Sequence, residues 1–278
     1  TDKFPEFEEL AFSLPSGTVI DGELLPVKAG KPLPFALLQK RIGRKNLTKR
    51  ILSEVPATIR AYDLLECEGQ DLRSIPMNER RKLLERLVVE TKSEVLQISE
   101  KVAAKNWEEL TDLQKQARSY MAEGFMLKRA SSAYQSGRKK GDWWKWKVDP
   151  MTIDAVMIYA QKGHGKRADL YSDYTLAVWD QKELVPFAKA YSGLTDKELG
   201  EVSRFVRNNT KERFGPVRTV TPELVFEVAF EGIQKSSRHK SGVAVRFPRI
   251  HRWRKDKKAE EANTLTDLKD LLNQYGES

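Results

Sequence analysis

At Asp149-Pro150 the texture of the chain changes, and this break limits the possible folds more than any other feature. Before it, strand-like and helical runs alternate. Val19 to Val27 and Thr58 to Leu65 read as strands; Phe35 to Ile42 and Leu47 to Leu52 read as short helices. Asn78 to Val89 places Leu83, Leu84, Leu87 and Val88 on one face at helical spacing, and Trp107 to Met121 reads as a second amphipathic helix. Gly124 to Arg129 and Trp143 to Val148 are strand-like and are joined by a polar loop.

After the break, short β-rich runs follow one another: Ile153 to Ala160, Thr175 to Trp179, Leu184 to Ala190, Leu224 to Ile233 and Val243 to Phe247. One helix intervenes, opened by Thr195 and Glu198 in capping-box spacing, and a terminal helix is expected from about Leu265 to Leu272. About five strands with one helix between them fit a small closed barrel of the OB type. The expected class is therefore α+β, with one domain over 1–149 and a barrel over 150–278.

No apolar stretch approaches the roughly 20 residues that a membrane helix needs, so no membrane association is expected. Cys67 is the only cysteine, which excludes an intramolecular disulfide and suggests a reducing, cytoplasmic compartment. With His164, His239 and His251 as the only histidines, a structural zinc site lacks ligands, and carboxylates would hold any metal. The first residues contain neither an initiator Met nor a signal pattern, so the chain is expected to start partway through a longer protein.

Charge is informative locally. The chain has a formal net charge of +9, and the stretch Lys235 to Lys258 alone holds ten Lys and Arg against one acid, Asp256. Arg138, Lys139, Lys140, Lys145 and Lys147 form a second group, interleaved with Trp143, Trp144 and Trp146. Clustered cations mark a polyanion partner, nucleic acid or nucleotide phosphate, although a solvated basic face has the same composition.

Several short motifs could carry chemistry. Asp21-Gly22-Glu23 puts two carboxylates on one face of a strand, suited to a hydrated Mg²⁺ or a ribose hydroxyl; a turn or an exposed edge looks the same. Glu123 to Lys128 (EGFMLK) offers an acid before a strand and a lysine at its end, which suits a metal-binding Glu and a phosphate-binding Lys, or an ordinary helix-to-strand junction. In Trp144-Lys145-Trp146-Lys147 the two lysines share one strand face, where they repel unless an anion lies between them. Tyr62 is either a core aromatic or a platform for a flat base.

The order of these motifs is more specific than any one of them. DGE, YDLL, EGFMLK, WWKWK and RFPRIHRWRKDK follow one another as motifs III, IIIa, IV, V and VI do in the ATP-dependent DNA ligases. The resemblance spans Val19 to Lys258 and looks closest to the cellular branch with its bacterial and archaeal members. It implies a nucleotidyltransferase (adenylation) domain with antiparallel sheets, truncated at its N-terminus, followed by an OB domain, with Asp149-Pro150 as a hinge. It also implies ATP and Mg²⁺ as cofactors and nicked duplex DNA as partner for a monomer, nucleoid-associated if prokaryotic, in replication, repair or recombination.

By resemblance, Asp21, Glu23 and Glu123 organise metal, Glu23 also binding the adenosine ribose. Tyr62 stacks on adenine in place of the family's usual Phe. Lys145 and Lys147 contact the α-phosphate as catalytic groups, with Lys139 as a further phosphate contact. Arg254, Asp256 and Lys257 orient the β,γ-pyrophosphate, and Arg246, Arg249 and Arg252 contact DNA. The family nucleophile, the Lys of a KxDG motif, has no counterpart: no such tetrapeptide exists in the chain. The chain alone is therefore expected not to adenylate itself. An RNA ligase or capping nucleotidyltransferase of the same superfamily, or a non-enzymatic OB-type nucleic-acid-binding module, are the competing expectations.

Overall fold

Residues 2–137, 139–165 and 168–276 are described by the computed structural model, so Arg138 of the basic loop lies outside the described residues. The chain divides into two units, Thr1–Val148 and Asp149–Ser278. Unit 1 contains α1 (Phe7–Ser13), β1 (Val19–Lys28), β2 (Lys31–Pro32), α2 (Phe35–Ile42), α3 (Lys49–Glu54), β3 (Ala57–Cys67), β4 (Gln70–Asp71), α4 (Met77–Thr91), β5 (Leu96–Ile98), α5 (Trp107–Lys115), β6 (Gly124–Lys128) and β7 (Trp143–Lys147). Its main sheet has the order β2-β1-β3-β4, with β5 parallel to β3.

Helix α4 lies against this sheet because its heptad-like spacing aims Leu84 and Leu87 at Ala61, Leu64 and Leu96, while Leu83 and Val88 cover the flank. Burial of each such leucine contributes about 1.5–3 kcal/mol. Arg41, Arg80 and Arg81 are buried as well, the first two in bidentate ion pairs. Arg80 places Nε and Nη2 on the two carboxylate oxygens of Asp63 at 2.7 and 2.8 Å, and Arg41 does the same with Glu6 through Nη1 and Nη2 at 2.7 and 2.6 Å. The helix expected to reach Met121 stops at Lys115 and continues as a 3₁₀ turn, Ala117–Tyr120, after which Met121 adopts φ 55° and turns the chain into β6. Helix α1 escaped the sequence reading, although Leu10 anchors it in the core.

Strands β6 and β7 form a separate antiparallel hairpin. Its entry depends on Gly124, whose φ of +134° strains any side chain and where a Cβ would sit 2.2 Å from the Trp146 carbonyl oxygen.

Unit 2 contains β8 (Met151–Lys162), β9 (Tyr171–Asp180), β10 (Glu183–Ala190), α6 (Asp196–Asn208), β11 (Thr210–Phe214), β12 (Val217–Val220), β13 (Val225–Phe230), β14 (Gly232–Lys235), β15 (Val243–Arg246), β16 (Arg249–Trp253) and α7 (Leu265–Tyr275). The antiparallel path β10-β9-β8-β13-β16 curls until its ends meet: Ile250 N–H donates to the Ser192 carbonyl at 2.9 Å. At this seam Gly193 has φ +111°, and a Cβ there would lie 1.7 Å from the Ile250 oxygen. Tyr174, Leu176, Phe226, Phe230 and Leu268 fill the barrel core, joined by Leu199, Val202 and Val206 of α6. Helix α6 opens with the capping box of Thr195 and Glu198.

Nine strands occupy the described part of unit 2, where the sequence suggested about five. The hairpin β11–β12 was illegible because Lys211 to Phe214 is exposed throughout and shows no alternation. The run Leu224 to Ile233 divides at Glu231 into β13 and β14. The basic tract breaks at Phe247, whose φ is 53°, into β15 and β16. No helix among the described residues is long and apolar enough to cross a membrane.

Candidate functional site

In unit 1 the site begins at an irregularity in the β1–β3 pairing. Asp21 faces Asp63 and Gly22 faces Ala61, so Tyr62 is the extra residue of a bulge. Bulges re-aim side chains, and here the Tyr62 hydroxyl donates to Asp21 Oδ1 at 2.8 Å. Tyr134, from the loop before β7, donates to Asp21 Oδ2, also at 2.8 Å. Burial and then the hydrogen bond to Asp21 push both phenols up, Tyr134 to about 12, so both remain protonated donors at neutral pH.

Alternation along the β6–β7 hairpin separates its faces. The register pairs Met126 with Lys145, Gly124 with Lys147 and Lys128 with Trp143, which puts Lys128, Lys145 and Lys147 on one face. Phe125 and Trp146 pack edge to face on the other, with Trp107 of α5 beside Trp146. Lys145 and Lys147 are exposed, and Lys147 Nζ lies 3.1 Å from a Glu123 carboxylate oxygen. Lys139 is exposed in the connecting loop.

Lys128 differs from its two neighbours. Its Nζ is buried without a hydrogen-bond partner, 4.3 Å from the Tyr62 ring centroid and 4.0 Å from that of Trp143. The sequence left it as a phosphate-binding lysine or an ordinary flanking one; its side chain supports the Tyr62 ring by cation–π contact. Burial pushes its pKa down to about 8 from 10.5, against the pull of Asp63 and Asp21. The unfolded chain therefore binds more protons between those values, and stability rises with pH across that window. The thermal midpoint of the protein should rise relative to that of Lys128→Met between pH 8 and pH 10, read from melts of both at each pH; a constant difference would contradict a desolvated ammonium.

Asp21, Glu23 and Glu123 are not gathered into one cluster. Among the described residues no group of three or more His, Cys, Asp or Glu could hold a metal ion. The reason is local: Asp21 is engaged by two hydroxyls and Glu123 by Lys147, while Glu23 stands exposed on the Asp21 face of β1. Mg²⁺ is ordinarily held by one or two carboxylates completed by phosphate oxygens and water, and the exposed carboxylates of Glu23 and Glu123 are each of the kind such a site uses. Tyr134 and Trp143 were not singled out in the sequence; an aromatic in a polar loop and a tryptophan beside two others were the only signals.

In unit 2 the basic tract is threaded with carboxylates. Arg249 pairs with Glu231 at 2.9 Å and Arg252 with Glu227 at 2.7 Å, while the Arg246 guanidinium lies over the Phe247 ring. Arg254 reaches Asp154 at 2.8 Å and Asp256 at 2.7 Å, and Lys257 reaches the same Asp154 oxygen at 2.7 Å. The hydrogen bonds from Arg254 hold the Asp256 carboxyl down at about 2. A cavity of about 210 Å³ opens beside this group, lined by Leu224, Trp253, Arg254, Lys255 and Lys257.

A family model described as "ATP dependent DNA ligase domain" matches residues 1–147, and one described as "ATP dependent DNA ligase C terminal region" matches residues 167–257. A probable DNA ligase of Koribacter versatilis is 38% identical over 98% of this chain and 51% of its own length. A DNA ligase of Thermococcus fumicolans is 34% identical over 98% of this chain and 49% of its own. The chain thus spans about half the length of these curated relatives. A solved structure described as "DNA binding with a minimal scaffold: Structure-function analysis of Lig E DNA ligases" shares the fold, with a TM-score of 0.59 at 18% identity over 84% of this chain and 76% of its own.

Proposed function

The chain belongs to the ATP-dependent DNA ligase family, and from that premise we propose that it serves the sealing of nicks in duplex DNA through lysyl-AMP and DNA-adenylate intermediates. The observation that carries this reading is the lysine face of the β6–β7 hairpin, which runs from Lys147 through Lys145 to Lys128 beneath the Tyr62 ring. Adenine stacks on Tyr62, and Glu23 meets the ribose. Lys145, Lys147 and Lys139 neutralise the α-phosphate, and Arg254, Asp256 and Lys257 orient the β,γ-phosphates. Glu23 and Glu123 would hold Mg²⁺, which would supply further charge neutralisation at phosphorus. The protein acts as a monomer in the cytoplasm or at the nucleoid.

In this chemistry a deprotonated lysine amine attacks the α-phosphorus, an N–P bond forms, and the bond to the β-phosphate oxygen breaks with loss of pyrophosphate. Little covalent work remains for the other groups; their contribution is positioned positive charge. No KxDG tetrapeptide in the chain supplies the amine. The test is the intact mass of this chain, and of the chain joined to a segment bearing a KxDG lysine, after incubation with ATP and Mg²⁺. The joined protein should gain one AMP and seal nicked duplex, while the chain alone gains none. A folded joined protein that gains none would refute the reading.

DNA contact by Arg246, Arg249 and Arg252 predicts a steep salt dependence, because phosphate contacts release counterions. The log–log slope of affinity against salt should shrink by about two when Arg246 and Arg252 are both changed to Ala. Filter binding over a salt series measures it, and a salt-independent affinity of the unaltered protein would count against the basic tract as the surface.

A further inference from the structure

We propose that Asp154 is a positioning residue for the two cations Arg254 and Lys257, set in place by Asn263. One oxygen of Asp154, Oδ2, accepts from Arg254 Nη1 at 2.8 Å and from Lys257 Nζ at 2.7 Å. Without an anion between them these two charges repel and splay; with it they converge on one point. The Asp154 side chain is 8% exposed, against 16% for Arg254 and 29% for Lys257, so the fixed end of the arrangement is the carboxylate.

The second oxygen of Asp154 is buried and has no hydrogen-bond partner. Arg254 is divided between two carboxylates that differ in kind. Asp256 is 64% exposed and can yield its place on the guanidinium to a phosphate, whereas Asp154 cannot follow solvent or ligand.

What fixes Asp154 is a segment distant in sequence. Asp154 N–H donates to the Asn263 side-chain oxygen at 2.9 Å, and Asn263 N–H donates back to the Asp154 carbonyl at 3.0 Å. Trp179 N–H of β9 donates to the Asn263 carbonyl, and the Asn263 amide donates to Asp267, whose carboxylate caps the start of α7. Asn263 therefore occupies the ladder position beside β8 that β9 leaves open, and the position of α7 is transmitted to the two cations through one residue.

This inference rests on the reading that Arg254 and Lys257 meet phosphates, and the test separates the two. The probe is inorganic tripolyphosphate, titrated at constant ionic strength into the chain and into Asp154→Asn, Asp154→Glu and Arg254→Ala. Removing a negative charge should tighten anion binding if Asp154 only neutralises its neighbours. Positioning predicts the opposite sign: Asp154→Asn binds roughly tenfold more weakly, and Asp154→Glu recovers part of the loss. Where Arg254→Ala weakens binding, equal or tighter binding by Asp154→Asn would overturn the proposal.

A second measurement does not depend on phosphate. The side-chain nitrogen NMR signals of Arg254 and Lys257 should be those of restrained groups in the unaltered chain and should collapse to the mobile pool in Asp154→Asn and partly in Asn263→Ala. Signals unchanged in both variants would also overturn the proposal. Tripolyphosphate binding that is indifferent to Arg254→Ala, with restrained signals lost in Asp154→Asn, would instead refute the phosphate role and leave the positioning intact.

Discussion

Replacing Lys147 with alanine, in the chain joined to a KxDG-bearing segment, is expected to slow adenylyl transfer from ATP by roughly 10²–10³-fold, the usual cost of removing one preorganised charge donor from a transition state. Lys147 is the strongest candidate because it is held from two sides. Gly124 lets the β6 backbone close against β7 at the Lys147 position, and the Glu123 carboxylate steadies the ammonium at 3.1 Å. Strand alternation leaves it no route to the opposite face, where Trp146 is packed against Phe125 and Trp107. The loss should fall on the maximal rate more than on the ATP concentration needed for half of it, since charge at phosphorus grows as the leaving pyrophosphate departs. Single-turnover adenylation followed by mass or by labelled AMP measures it, and a loss below threefold would remove Lys147 from the reacting centre.

Arg80→Ala should be the most damaging change outside the reacting groups, destabilising unit 1 by about 3–5 kcal/mol. The figure follows from what is left behind. Asp63 and Arg80 are 1% and 0% exposed, so the substitution strands a buried carboxylate that keeps the Leu64 N–H but loses the guanidinium opposite both of its oxygens. Arg80 also donates to the carbonyls of Ile75 and Ser132, tying α4 to the loop that carries Tyr134. Changing both partners to apolar residues of similar volume should cost much less, because no charge is orphaned. Denaturant titration of the three proteins tests this, with the two units followed by separate probes since they need not unfold together.

Much of this was legible in the sequence, and the reasons are physical. Strands rich in apolar and β-branched residues, such as β1, β3, β8 and β10, declare themselves even where polar residues interrupt them, as does α6 through its capping box. The lysine face of β7 follows from period-two geometry alone. What could not be read depends on partners far apart in the chain. Lys128 and Lys145 look alike in sequence, yet one lies between two aromatic rings and the other in solvent, because only the first faces the bulge at Tyr62. Nothing near Asp21 in the chain announces that Tyr134, 113 residues away, donates to its second oxygen. Asp154 was an unremarked residue in an apolar strand, and its meaning comes from residues a hundred positions later.

The meeting of Ile250 with Ser192 bears on how this molecule can change over generations. The barrel is locked by main-chain atoms, and by a residue, Gly193, that has no side chain to vary. The arginines of β16 take no part in that lock. Exchange of either side chain therefore leaves the main-chain closure between Ile250 and Ser192 in place, while it removes an ion-pair partner of Glu231 or Glu227.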